Sequence, residues 1–379
     1  MDRQVHESEL SADAMDRGQY RHFMLKEIFE QPAVLAETLE GRVEDGEVVA
    51  KALGGKAQEL IEAARAVHII ACGTSYHAGL VARQWIERLA QIPCNVEVAS
   101  EYRYREVVVP PQTLFLTISQ SGETADSLAA LQLAKTRDYI GSMVICNVAE
   151  SSLVRESDCA LFTRAGPEIG VASTKAFTSQ VVALTLFALH LGSQRGLDPE
   201  TMRQYLDALT ALPAQVQQIL NRGNEIRALA SRLVDHDNFL YLGRGYSFPV
   251  ALEGALKLKE ISYIHAEGFS AAEMKHGPIA LIDEDMPVVV VAPRDASYPK
   301  VLSNMQEVKA RGGHVIAISS EPNGLVKISD ELFAVPHTLD ALLPILTSVP
   351  LQLLAYHIGV MRGCDVDKPR NLAKSVTVE

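Results

Sequence analysis

The chain has 379 residues, of which 47% are hydrophobic and 22% charged, and its formal net charge at pH 7 is −12. This length suits two domains, each able to bury a core of its own. The acidic balance argues against broad nucleic-acid binding and against an anionic membrane surface, although a few backbone N–H groups can still bind a small anion.

The first half of the chain is predicted to open with two helices and then to alternate between strands and helices. Residues 1–18 read as a flexible lead-in, and a break around Gly41 separates the two helices. The run Val67–Cys72 is continuously apolar, as expected of a parallel strand that is covered on both faces. The predicted helices are 19–40, 46–66, 76–89, 124–135 and 173–191, and the predicted strands are 67–72, 113–119 and 142–148.

The same alternation restarts after a charged helical segment at 196–237, which Pro199 and Pro213 punctuate. Strands are predicted at 238–242, 286–292, 314–319 and 332–335, and helices at 248–262, 297–311 and 342–361. The pattern predicts an α/β fold with two tandem, doubly wound parallel sheets flanked by helices. The predicted boundaries are 1–57 for the linker and first helices, 58–198 for the first domain, 199–229 for the connector, 230–365 for the second domain and 366–379 for the tail.

The cellular compartment is predicted from the cysteines and the apolar runs. Five cysteines occur without a CxxC pair, which favours buried reduced thiols in a cytoplasmic protein over disulfides or a metal site. The polar start has no apolar core and is not a signal peptide. No uninterrupted apolar stretch is read as long enough to span a bilayer.

The loop at 119–124 offers three hydroxyl groups, on Ser119, Ser121 and Thr124, at the predicted start of a helix. Gly122 lets the backbone approach a ligand, and the free N–H groups and dipole of the helix point to the same place. Helix capping explains one hydroxyl, but not three hydroxyls and a glycine in six residues. The loop therefore predicts an anion site, most simply for a phosphate group.

The run 72–75 has the same build one strand away, but its Thr74 and Ser75 fit capping and anion binding equally well. No Walker lysine pattern is present, and no GxGxxG follows the first strand. We therefore predict neither a nucleotide nor another cofactor.

Three charged residues, Glu253, Lys257 and Glu260, share one face of the helix predicted at 248–262. One interpretation is a solvated face with a weak Glu253–Lys257 pair, while neighbours such as Leu252 and Leu256 face the core. The other is catalytic, because the helix begins where a ligand of the second sheet would bind. A carboxylate there could act as a general base beside an ammonium group.

Two further side chains are candidates for chemistry. His276 lies in a turn between lysine and Gly277-Pro278, and an exposed loop histidine near neutral pKa suits acid–base work. The absence of HxH or HxxxH spacing argues against zinc. Lys374 is either a solvated charge near the C-terminus or, if the tail folds over a site, a phosphate ligand or an imine-forming nucleophile.

The chain resembles a known family in six runs of sequence. The runs CGTS at 72–75, SQSGET at 119–124 and GVASTKAFTSQ at 170–180 are similar to a first SIS (sugar isomerase) domain. Three further runs resemble the second SIS domain and tail of the glucosamine-6-phosphate synthase family. They are ALEGALKLKEISYIHAE at 251–267, MKHGP at 274–278 and DKPRNLAKSVTVE at 367–379. The resemblance covers the chain from about residue 18 to its end.

This resemblance implies specific roles for the candidate residues. Lys374 would form a Schiff base with an open-chain ketose, Glu260 would move a proton between C1 and C2, and His276 would open the sugar ring in the site of a neighbouring subunit. Lys257 and Glu168 would assist, and Val171 and Ala373 would contact sugar hydroxyls through their backbone. The implied phosphate and substrate contacts in the first domain are Cys72, Gly73, Thr74, Ser75, Ser119, Gln120, Ser121 and Thr124.

The implied ligands are fructose 6-phosphate, glucose 6-phosphate and glucosamine 6-phosphate, bound by a homodimer without metal or cofactor. The beginning of the chain departs from the family, whose full-length members start with a glutaminase domain and a cysteine after the initiator Met. Here residue 2 is Asp, and Cys72 is the first cysteine. The chain is therefore expected not to use glutamine. Two alternatives stay open: a deaminase or deglycase for amino-sugar phosphates, and a non-catalytic sugar-phosphate sensor.

Overall fold

Two five-stranded parallel β-sheets organise the computed structural model, which describes residues 16–53 and 56–377. A short hairpin, β1 (Val43–Glu44) and β2 (Glu47–Val48), is the remaining sheet of these residues. The strands of the first large sheet are β3 (Ala66–Ala71), β4 (Cys94–Val98), β5 (Thr113–Ser119), β6 (Gly141–Cys146) and β7 (Cys159–Phe162). Those of the second are β8 (Asn238–Gly243), β9 (His265–Ser270), β10 (Pro287–Val291), β11 (His314–Ser319) and β12 (Glu331–Ala334).

The strand orders of the two large sheets correspond to each other. The first is β4-β3-β5-β6-β7 and the second, reversed, is β9-β8-β10-β11-β12. Every neighbouring pair in both sheets is parallel. The predicted α/β fold with two tandem parallel sheets is therefore confirmed.

Helices surround the sheets and connect them. The α-helices of the first half are α1 (Phe23–Leu39), α2 (Ala57–Ala63), α3 (Gly73–Trp85), α4 (Ala99–Tyr102), α5 (Ala125–Ala134), α6 (Ser152–Glu156) and α7 (Lys175–Ser193). Those that follow are α8 (Pro199–Asn221), α9 (Gly223–Leu233), α10 (Ser247–Ser262), α11 (Tyr298–Lys309) and α12 (Leu343–Met361). Short 3₁₀ helices occupy Ala50–Leu53, Glu273–His276, Pro278–Leu281, Pro322–Gly324 and Asp340–Leu342, and α3 continues into a π-helical turn at Ile86–Ala90.

The central strands are buried along their whole length. All seven residues of β5 and all five of β10 are buried, as expected when helices cover both faces of a parallel sheet. One apolar cluster runs through both halves of the chain and includes Trp85, Phe187, Tyr241 and Leu354. The two halves therefore share a core.

Several predicted elements were wrong in detail. The helix predicted at 46–66 is instead part of the β1–β2 hairpin, a 3₁₀ turn and the short helix α2. The strands β4, β7 and β9 were missed, and Pro213 lies inside α8 rather than at a break. The lead-in predicted at 1–18 falls largely outside the described residues.

Within residues 16–53 and 56–377, two helices are long and apolar enough to cross a membrane when judged by length and composition alone, contrary to the sequence-based expectation. They are Lys175–Ser193 and Asp340–Met361, and 94% of the apolar window of each is buried inside the protein. Such burial is typical of core helices, and α7 and α12 fill the interior between the sheets and the outer helices.

Candidate functional site

The loop between β5 and α5 is shaped by a glycine that no other residue could replace without strain. Gly122 has a φ of +68°, and a Cβ at this position would lie 2.0 Å from Ser151 Oγ. The Ser119 hydroxyl accepts a hydrogen bond from the Gly122 backbone N–H at 2.9 Å, and the Ser121 hydroxyl accepts one from Glu123 N–H at 3.2 Å. The two serines thus fold the loop back on itself at the carboxyl edge of the sheet.

The hydroxyl groups of this loop do not cap α5, contrary to the interpretation of the loop as a helix cap. Thr124 occupies the N-cap position, yet its side chain makes no capping hydrogen bond. The first helical N–H, on Ala125, donates instead to the carbonyl of Val376 in the tail at 3.0 Å. The Ser121 hydroxyl lies 3.1 Å from the Ser375 hydroxyl. The helix start and the tail therefore meet, and anion binding by this loop stays a prediction.

The run 72–75 connects the first half of the chain to the second. Gly73 begins α3 with a φ of +52° and faces open space, and Cys72 forms no side-chain cap. The Thr74 hydroxyl donates to Glu253 Oε1 at 3.0 Å and accepts from Lys257 Nζ at 3.2 Å. The Ser75 hydroxyl accepts from Gln180 Nε2 at 3.0 Å.

The charged face of α10 is buried, so the interpretation as a solvated face is wrong. Glu253 and Lys257 are each only 1% exposed, whereas Leu252 and Leu256 are half-buried. Lys257 Nζ lies 2.6 Å from Glu260 Oε2 and 3.5 Å from Glu253 Oε1. Burial acts to lower the pKa of Lys257, but the neighbouring carboxylates of Glu260 and Glu253 outweigh burial and raise it. Lys257 is therefore protonated at neutral pH beside Glu260.

A histidine that the sequence reasoning missed completes this cluster. His77 Nδ1 lies 2.7 Å from Glu253 Oε2, so the buried carboxylate is shared by His77, Thr74 and Lys257. A signal was present in the sequence, because His77 follows Thr74 by three residues and lies on the same face of α3.

Lys374 is held by three oxygen atoms of the segment between β7 and α7. Its Nζ donates to Glu168 Oε2 at 2.5 Å, to the Gly170 carbonyl at 2.8 Å and to Ser173 Oγ at 3.4 Å. Glu168 is buried, and its other oxygen accepts from the backbone N–H groups of Thr174 and Ala176. Burial alone would raise the pKa of Glu168, but the ammonium group and these N–H donors hold it below its usual value. The tail is thus folded inward, which rules out a freely solvated lysine.

The remaining predicted contacts lie around this tail. Val171 N–H donates to the Asp367 carbonyl at 3.0 Å, which ties the start of the tail to the segment that binds Lys374. Ala373 is exposed beside Lys374. Gln120 is half-buried in the loop at residues 119–124, the predicted anion site, which is called the anion loop below. Both remain available to a ligand.

His276 is apart from the other predicted residues within this chain. It ends the 3₁₀ helix Glu273–His276 and is exposed, and in the part of the chain that the structure describes its side chain forms no hydrogen bond or ion pair. The geometry of one chain therefore brings together the loop, α10 and the tail, but not His276. Among residues 16–53 and 56–377, no three His, Cys, Asp or Glu side chains are grouped so as to hold a metal ion.

The family model described as "SIS domain" matches two segments of the chain, residues 59–190 and 232–362. The chain is 57% identical over 378 residues to glutamine–fructose-6-phosphate aminotransferase (isomerizing) of Pseudomonas syringae and 54% identical over 374 residues to that of Pectobacterium atrosepticum. These alignments cover 99% and 98% of the chain but 61% of each relative. The chain thus spans less than two thirds of the length of the curated relatives it matches.

Comparison with solved structures finds proteins of the same kind as these relatives. The C-terminal domain of glucosamine-fructose-6-phosphate aminotransferase from Francisella tularensis matches with a TM-score of 0.91 and 46% identity, over 93% of this chain and 100% of that one. A glucosamine-6-phosphate deaminase from Thermotoga maritima matches with a TM-score of 0.74 and 25% identity, over 93% of this chain and 99% of that one. The resemblance inferred from sequence is confirmed, while the domain boundaries and the expectation about glutamine stay predictions.

Proposed function

Because the chain belongs to the SIS domain family and matches the C-terminal isomerase portion of the aminotransferases, we propose that it is a sugar-phosphate isomerase acting on fructose 6-phosphate. One observation carries this proposal: neighbouring tail residues contact both parts of the site. Lys374 binds Glu168, and Ser375 binds Ser121 of the anion loop. Consecutive Cα atoms are about 3.8 Å apart, so the amine and the anion loop lie within reach of one small phosphorylated sugar.

The phosphate end would bind at the start of α5. The hydroxyls of Ser119, Ser121 and Thr124 would donate to the phosphate oxygens, together with the backbone of Gln120 and Ser75, and the dipole of α5 favours the negative charge. Ser121 would exchange its contact with Ser375 for one with phosphate. The backbone of Val171 and Ala373 would contact the sugar hydroxyls beside Lys374.

The reacting end would lie at Lys374 and α10. For isomerisation, Glu260 would remove a proton from C1 of the open-chain ketose to give an enediol, the proton on the C1 oxygen would pass to the C2 oxygen, and return of a proton to C2 would give the aldose. Lys257 beside Glu260 would stabilise negative charge that develops on the substrate oxygen. If ammonia is supplied, the amine of Lys374 would instead attack C2 of the ketose, and loss of water would give an imine. Ammonia would then replace Lys374 at C2, and the same proton transfer from C1 to C2 would give glucosamine 6-phosphate and free Lys374.

A coupled assay tests this function directly. The purified chain is expected to convert fructose 6-phosphate to glucose 6-phosphate, and not to convert free fructose, because phosphate anchoring positions the sugar. Thr124→Val should raise KM for fructose 6-phosphate by about tenfold or more, the effect of losing one hydrogen bond to a charged group. Measurable conversion of free fructose at a comparable kcat/KM would contradict the proposal that the phosphate group anchors the substrate.

His276 is proposed to act in the site of the partner subunit of a homodimer, since it is exposed and remote from Lys374 within its own chain. A heterodimer carrying His276→Ala in one subunit and Lys374→Met in the other, isolated with two different tags, should retain about half of the wild-type rate of ammonia-dependent glucosamine 6-phosphate formation because one of its two sites is complete. If each chain uses its own His276, this heterodimer will be inactive.

A second candidate function is deamination of glucosamine 6-phosphate, favoured by the structural match to the Thermotoga deaminase. The same anion loop and Glu260 would serve this reaction. Release of ammonia from glucosamine 6-phosphate faster than isomerisation of fructose 6-phosphate would support it.

The proposal includes a cytoplasmic location, supported by five free cysteine thiols, which suit a reducing compartment.

A further inference from the structure

The side chain of Glu27 is a buried carboxyl group that the proposed mechanism does not use. It lies on α1, is 2% exposed, and points at the segment that holds Lys374. Its Oε1 accepts hydrogen bonds from the backbone N–H groups of Ile169, at 2.5 Å, and Gly170, at 3.1 Å. Its Oε2 is buried without a hydrogen-bond partner in the part of the chain that the structure describes.

The fit between Glu27 and this segment is close. A Cβ at Gly170 would lie 2.8 Å from Glu27 Oε2 and 3.4 Å from the backbone nitrogen of Met24. Any residue larger than glycine would therefore push the segment away from α1. The carboxyl group and the absence of a side chain at Gly170 together fix the distance between α1 and the turn at 168–170.

The turn that Glu27 holds supplies two of the three oxygen atoms around Lys374. Glu168 and the Gly170 carbonyl both accept from Lys374 Nζ, and Gly170 N–H donates to Glu27. A single residue, Gly170, thus links the carboxyl group of α1 to the ammonium group of the tail. Movement of Glu27 would move an acceptor of Lys374.

The first turn of α1 also holds the tail. The Asp367 carboxylate accepts from the backbone N–H groups of Phe23 and Met24, each at 2.9 Å, and so caps the start of the helix. The Asp367 carbonyl accepts from Val171 N–H at 3.0 Å. One helix therefore holds both the turn that binds Lys374 and the segment of tail that leads to it.

Glu27 is also the second carboxyl group near Lys374. Burial and the Glu168 carboxylate raise the pKa of Glu27 to about 8, against smaller opposing effects of Lys374 and the backbone N–H groups. Other nearby charges have partners of their own: Lys175 pairs with Glu30 at 2.7 Å, and Asp367 faces the helix start. At neutral pH, Glu27 is therefore largely protonated and Glu168 is the counter-ion of the ammonium group.

We propose that Glu27 is a positioning residue of the Lys374 site, which fixes the turn at Ile169 and Gly170 and leaves Glu168 as the single negative partner of the amine. Ionisation of Glu27 would place a second negative charge beside Lys374 and disfavour the free amine that an imine requires. The role of Lys374 as nucleophile rests on the proposed function, but its environment can be measured without substrate.

The experiment compares the acetylation of Lys374 with that of Lys368, an exposed lysine on the same tail, in the ligand-free full chain. Trace acetic anhydride is applied at pH 6.5 and pH 9, and both modified peptides are quantified by mass spectrometry. Glu27→Gln mimics the neutral carboxyl group and can still accept from both N–H groups. Its Lys374-to-Lys368 ratio should equal that of the wild type at pH 6.5 and exceed it roughly three- to tenfold at pH 9, where Glu27 is ionised.

Glu27→Ala removes the two hydrogen bonds to the turn as well as the charge, so its Lys374-to-Lys368 acetylation ratio should rise at both pH values. Equal ratios for wild type and Glu27→Gln at pH 9 would overturn the proposal. So would equal increases in Glu27→Gln and Glu27→Ala at pH 6.5, because they would reveal only a loss of packing. Incubating the wild type with fructose 6-phosphate and borohydride separately tests the proposed function, since absence of an adduct on Lys374 would leave the labelling result intact.

Discussion

Replacing Lys374 with arginine is expected to lower kcat for ammonia-dependent formation of glucosamine 6-phosphate by about a thousandfold or more while leaving fructose 6-phosphate bound. Arginine keeps the positive charge that Glu168 needs, but it stays protonated and cannot form an imine. Calorimetry should show an affinity for fructose 6-phosphate within about threefold of the wild type, because the phosphate contacts lie on the anion loop.

Trapping gives the sharper measurement for this variant. Borohydride in the presence of fructose 6-phosphate should add the mass of one reduced sugar phosphate to the wild type and nothing to Lys374→Arg. Lys368→Arg is the matched control, since it makes the same exchange on an exposed tail residue. A rate of ammonia-dependent glucosamine 6-phosphate formation for Lys374→Arg above one tenth of the wild-type rate would remove covalent catalysis from the mechanism.

The second large effect is expected at Glu260. Glu260→Gln keeps the size of the side chain and an oxygen that can face Lys257, but it removes the base. Isomerisation should fall by about 10²- to 10⁴-fold, the usual contribution of a positioned general base. The imine with Lys374 should still form, so trapping by borohydride separates this variant from Lys374→Arg.

Isotope exchange tests the same step. In deuterium oxide, the wild type should exchange the C1 proton of fructose 6-phosphate, and Glu260→Gln should not. Glu267→Gln is the control, because Glu267 is partly exposed and, among the described residues, its carboxylate pairs with the exposed His265 at 3.6 Å. Persistent exchange in Glu260→Gln would assign the proton transfer to another group.

The sequence predicted the anion loop better than it predicted the catalytic face. Strand β5 has the bounds that were predicted, because seven consecutive buried residues followed by a polar loop leave little choice. The face of α10 is different. Spacing showed that Glu253, Lys257 and Glu260 lie on one side, but only the packing of α10 against α3 shows that this side is buried.

The missed elements have similar causes. Strands β7 and β9 are short or only partly buried, and β9 carries polar residues that mask its pattern. The sequence analysis did not single out Glu27. Its role depends on the turn at Ile169 and Gly170, more than 140 positions away in the chain.

The hydrogen bonds that Thr74 donates to Glu253 and accepts from Lys257 have a consequence for the modularity of the tandem repeat. Each half has the architecture of a complete domain, yet the buried cluster of Thr74, Glu253 and Lys257 draws on both halves. A chain divided at the helical connector would leave Glu253 and Lys257 facing an interface that is no longer there. A substitution at this contact on α3 or on α10 therefore disturbs the other half as well, so the two copies cannot change independently of each other there.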